Sequence, residues 1–152
     1  KVLDAYVALQ KALAGDDLAG ARKSVGVLQE ALAGVDMKQL QEPAHSAWMR
    51  HRADLARGLD AATAAADAAA LRSGFALISE ALAAALKQFG APFDDVVVMH
   101  CPMAFNNRGA NWLQRGTEVA NPYFGAAMLR CGSVVEKIAG SPSAGGARHD
   151  HR

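Results

Sequence analysis

The stretch Met99-His100-Cys101-Pro102-Met103 gathers four side chains that bind soft metal ions around one proline. The chain has 152 residues with only two cysteines and five methionines. The second cysteine, Cys131, follows Met128 by three positions, so the pattern is C-x-M, 24 residues, then M-x-x-C. Two thiolates and two thioethers, with His100 or Met99 beside them, suit a soft d10 ion such as Cu(I) or Ag(I). Zinc is less well matched, because thioethers bind it poorly and a single histidine is close. A c-type haem is disfavoured, since no C-x-x-C-H occurs. The same residues admit a plainer reading. Met103 and Met128 would fill core gaps. Cys101 and Cys131 would form a disulfide or stay as buried thiols, and no metal would bind. Spacing alone leaves both readings open.

These side chains must be positioned by the elements around them. The β-branched run in "DDVVVMH", 94–100, predicts a strand or extended segment. Cys101 and Met103, two apart in extended chain, would project to one side. Asn106, Asn107 and Gly109 signal a tight turn with left-handed backbone positions. Asn121 suits an N-cap, Pro122 a first helical position and Gly132 the position past a C-terminus, which predicts a helix of about three turns over 122–131. Met128 and Cys131 would then share a helical face. Asn106, Asn107 and Asn111 are read as pinning the loop by bonds to backbone. Trp112 and Tyr123 are read as packing this cap onto what precedes it.

What precedes it is helical by pattern. Val2, Tyr6, Leu9 and Leu13 follow a 4-3-4 spacing, and Gly15 breaks the run. Asp16 and Asp17 can cap a second helix striped by Leu18, Ala21, Val25, Leu28 and Leu32, which Gly34 ends. A third starts near Glu42-Pro43, striped by Trp48, Leu55, Leu59, Ala62 and Ala66. A fourth is striped by Leu71, Phe75, Ile78, Leu82, Leu86 and Phe89, and Gly90-Ala91-Pro92 stops it. Whether the third and fourth bend near Asp67 or run on as one rod stays open. The expected fold is all-α: an antiparallel four-helix bundle over 1–90 with a strand-loop-short-helix cap over 91–139, together one domain. The small, polar residues 140–152 are expected to be a disordered tail. His149 and His151 in it could weakly collect Cu(II) or Ni(II), though a solvated tail is the plainer reading. His45 and His51 are read as solvated or capping.

Composition narrows the function. Hydrophobic residues make up 51% and charged residues 20%, which suits an ordinary folded domain. A net charge of +1 and the lack of a basic cluster with interleaved aromatics argue against nucleic-acid binding. No uncharged apolar run reaches the roughly 18 residues of a membrane span. The chain opens on Lys1 without a signal-like segment, which suits a processed protein or an excised domain. No nucleophile–base pair, catalytic carboxylate pair, P-loop or dinucleotide fingerprint appears, so an enzyme is not expected.

The segment "HCPMAFNNRGANWLQRGTEVANPYFGAAMLRCG", 100–132, resembles a bacterial domain-of-unknown-function family found alone or fused to the C-terminus of CusB-type periplasmic adaptors of copper/silver efflux systems. The similar features are C-P-M, then Asn-Asn-x-Gly-Ala-x-Trp-Leu, then Asn-Pro-Tyr-Phe-Gly and M-L-x-C-G. The likeness is looser over 1–90, where Tyr6, Trp48 and "RSGFALISEAL" fall in similar places. It implies a helical, extracytoplasmic domain linked to heavy-metal handling. It carries over Cys101, Met103, Met128 and Cys131 as the site, with His100 less securely matched. The expectation is a periplasmic Cu(I)/Ag(I)-binding domain whose partners are the ion and an efflux adaptor or copper chaperone. The alternative is a disulfide-stapled interaction module that docks on such an adaptor without metal.

Overall fold

The computed structural model describes residues 1–38 and 40–140. The tail with His149 and His151 lies outside the described residues. Four long helices occupy the first part: α1 (Val2–Ala14), α2 (Leu18–Ala33), α3 (Ala44–Ala64) and α4 (Ala68–Phe89). Local chemistry sets their ends. The Asp17 carboxylate accepts from Gly20 N at 2.9 Å and the Asp67 carboxylate from Ala70 N at 2.8 Å, each satisfying an orphan donor of a first turn. Asp16 does not cap; it turns aside with φ +56. The rod question resolves as a break. Ala65 leaves the helical region with ψ 129, and α4 restarts after Asp67. Ala66 is therefore exposed and not part of a stripe.

The helices pair antiparallel and close. A Cβ built on Gly58 would lie 2.8 Å from Ile78 N, and one on Gly74 would lie 2.8 Å from Ala62 N. So 58 faces 78 and 74 faces 62, which fixes the direction of α3 against α4 and brings their backbones nearly into contact. Arg22 donates to Ala65 O and Gln29 to Thr63 Oγ1, each at 2.9 Å, joining α2 to the end of α3. By length and composition α4 is apolar enough to cross a membrane, with a mean hydropathy of 1.4. Half of that window is buried inside this fold.

The contrast between two helical glycines gives a test. Gly26→Ala meets nothing within 4 Å and should stabilise α2 by about 0.5–1 kcal/mol. Gly74→Ala drives a methyl into the α3 backbone and should cost about 2 kcal/mol. Opposite shifts of the urea midpoint are expected.

The second part departs from an all-α fold. Three strands, β1 (Val96–Cys101), β2 (Ala110–Arg115) and β3 (Ser133–Lys137), form an antiparallel sheet in the order β2-β1-β3. The outer edge of β2 is turned to the helices, where Tyr6 OH accepts from Leu113 N at 2.9 Å and lies 2.6 Å from Ser79 Oγ. Burial holds the Tyr6 hydroxyl protonated well above its ordinary range. β3 is the free edge: all five residues are exposed and it carries a bulge opposite Val98/Met99, a feature that discourages edge-to-edge pairing.

The helix expected over 122–131 is reduced to a single 3₁₀ turn, Gly125–Met128. The start is as predicted: Asn121 Oδ1 accepts from Tyr123 N at 2.7 Å and Phe124 N at 3.2 Å. Gly125 then takes φ +59 and ends any α-helix. A side chain at this position would run into the Asp16 carboxylate, which suits glycine here.

Candidate functional site

Cys101 closes β1, the central strand, and is wholly buried. Cys131 lies between the 3₁₀ turn and β3 and is partly exposed. Their sulfurs are 3.9 Å apart and both cysteines are free. Partial burial, with Cys101 beside it, pushes the Cys131 thiol above its ordinary pKa.

Two devices hold Cys131 there. Its backbone is fixed at both ends: Cys131 N donates to Met128 O at 3.0 Å, and Asn121 Nδ2 donates to Cys131 O at 2.7 Å. The covering loop is tied to the helices by Asp16, which accepts from Ala126 N at 2.9 Å and from Arg72 at 2.8 Å. Arg72 also donates to Pro122 O and Leu13 O. These bonds, led by the one from Ala126 N, hold the Asp16 carboxyl below its usual range. A depressed carboxyl adds stability above its unfolded pKa and loses it as pH falls through the folded one, so the tether persists at neutral pH. Asn121 was legible as a cap, but its hold on Cys131 was not. Nothing in the sequence points Asp16 at a backbone amide 110 residues away.

The other predicted ligands are placed differently. β1 ends at Cys101, so Pro102 and Met103 belong to a turn and the strand alternation does not carry over to Met103, which is 45% exposed. Met128 is half-buried, and it and Cys131 bracket a turn rather than share a helical face. Met99 is buried in the core. His100 alternates with Cys101 along β1 and so points to the opposite face. Its Nδ1 lies 2.6 Å from Asn111 Oδ1, so the Asn111 side chain engages His100 and not a backbone group. Phe105, Asn106 and Asn107 are consecutively left-handed (φ 54, 57 and 68), which bears out the expected turn. Trp112 is fully buried, and its ring packs edge-to-face with Tyr123, 6.0 Å between centroids at 78°.

Among the described residues no group of three or more His, Cys, Asp or Glu side chains is placed to hold a metal. Two sulfurs at 3.9 Å nevertheless fit a shared ion. Cys101 and Cys131 are the residues that would hold such an ion, as thiolate donors. The same contact lies about 1.9 Å outside a disulfide bond.

Four helices carry a small antiparallel sheet, with a thiol pair where the sheet meets its covering loop. The chain belongs to the family described as "Protein of unknown function (DUF3347)", whose model matches residues 2–93. That stretch holds the four helices and stops before β1, whereas the motif at 100–132 lies beyond it. No curated protein and no solved structure matches the chain.

Proposed function

We propose that this domain binds a soft monovalent ion, Cu(I) or Ag(I), through Cys101 and Cys131, and acts as a binding domain rather than an enzyme. The observation that carries the reading is the 3.9 Å separation of two free thiols, one reachable and one buried. Thiolates are strong soft donors, and a pair of them is a sufficient core for such an ion, whereas a structural zinc site takes four N, O or S ligands. Met103 and Met128, on the turns that adjoin the two cysteines, are the thioethers we assign to the rim; His100 is the weakest member of the predicted set because it faces away. We read the four helices as a bundle that supports this site. The setting we propose is periplasmic, with a copper efflux adaptor of the CusB type or a copper chaperone as partner, and it rests on the resemblance over 100–132.

The test is competition with a chromophoric Cu(I) chelator. Reduced protein should hold one ion. Cys131→Ser and Cys101→Ala should each release it, while Met103→Leu and Met128→Leu should weaken binding and leave folding intact. Binding should strengthen with rising pH, by about tenfold per unit for each thiol proton displaced, because the raised Cys131 pKa means the thiol enters protonated. Wild type that yields its copper as readily as the variant lacking both thiols would end the metal reading.

A further inference from the structure

We propose that Cys131 and Cys101 form an ordered thiol–disulfide exchange pair, in which Cys131 takes an incoming external disulfide and Cys101 resolves it. The two sulfurs are already in contact at 3.9 Å, but their access differs. Cys101 has no exposed surface, sealed at the end of the central strand, while Cys131 is partly exposed on the loop. An external disulfide therefore meets Cys131 first. Gly132, next in the chain, has φ +143 and packs on the Trp112 ring, so it adds no side chain of its own beside Cys131. The backbone bonds from Asn121 and to Met128 keep Cys131 in place while its sulfur is carried in a mixed disulfide. Only two cysteines exist in the chain, so no third thiol competes.

The step balances. Cys131 loses its proton and its sulfur attacks one sulfur of the external disulfide R–S–S–R, forming Cys131–S–S–R and expelling R–S⁻. Cys101 then loses its proton and attacks the Cys131 sulfur, forming Cys101–S–S–Cys131 and expelling the second R–S⁻. The protein is oxidised by two electrons, and the external disulfide is reduced to two thiols. The reaction does not depend on the metal reading and is tested on metal-free protein, so either can fail alone.

The probe is oxidised glutathione, read by intact mass and peptide mapping of the reduced chain. Wild type should lose two hydrogens and retain no glutathione. Cys101→Ala, which keeps the buried position apolar, should trap one glutathione on Cys131. Cys131→Ser should react at least about tenfold more slowly, its remaining thiol being enclosed. Circular dichroism and a urea midpoint confirm that each variant is folded. Glutathione taken up by folded Cys131→Ser at the Cys101→Ala rate would overturn the order. A stable wild-type mixed disulfide with no internal bridge would overturn the pair.

Discussion

Trp112→Ala is expected to cost about 3–5 kcal/mol, the largest single loss in the molecule. The indole has no exposed surface. Its Nε1 donates to Gln114 Oε1 at 3.0 Å, its ring meets the edge of Tyr123, and a Cβ on Gly132 would sit 2.8 Å from its Cη2. Truncation would empty a cavity under the loop that carries Cys131 and leave Gln114 Oε1 with Ala120 N as its remaining donor. A urea titration should show a large fall in midpoint. Met103→Ala is the control: at 45% exposure it should move stability by about 0.5 kcal/mol or less. A near-neutral Trp112→Ala would mean that the ring is not the centre of the second part's core.

Asn121→Ala is expected to cost about 3 kcal/mol, because one fully buried side chain serves three backbone groups. Its Oδ1 receives Tyr123 N and Phe124 N, and its Nδ2 bonds Cys131 O. Asn121→Asp separates the roles. It keeps the acceptor for the two amides but sets a carboxylate oxygen against a carbonyl. Both Asn121→Asp, which buries a charge, and Asn121→Ala should lower the urea midpoint, and Asn121→Asp, by losing the bond to Cys131 O, should change the alkylation rate of Cys131 several-fold at fixed pH. Equal alkylation rates in wild type and Asn121→Asp would show that the Asn121 bond does not position the thiol.

The helices were legible because their cores are one-sided. Tyr6, Leu9 and Leu13 in α1, and Leu71, Phe75, Ile78 and Leu82 in α4, recur at helical spacing and are buried, and Asp17 and Asp67 cap as their types suggest. The sheet was harder to read. Trp112 and Leu113 are adjacent and both fully buried, so β2 lacks the alternation of a half-buried strand. β3 is exposed throughout, so burial leaves no pattern in it. The short helix breaks at one residue: Asn121 and Pro122 read correctly, but Gly125 is left-handed and packs against a carboxylate from the α1–α2 turn, a contact that local sequence does not reveal. Of the site, the thiol pair was legible because the chain has only two cysteines. The thioether geometry was not, since it assumed that β1 runs past Pro102.

The bonds from Tyr6 to Leu113, from Gln10 Nε2 to Ala120 O and from Arg72 to Pro122 all cross from the helices into the residues beyond 93. Phe75 of α4 stacks with Tyr6 and tilts against Tyr123. A chain cut where the family match ends would take Leu113 N from the Tyr6 hydroxyl, Ala120 O from Gln10 and Pro122 O from Arg72, and would bare the flank of α4. The stretch by which the family is recognised is thus shorter than the stretch that these bonds tie together. Work on this domain in isolation should draw its border after the sheet, near residue 140, and not at the end of the fourth helix.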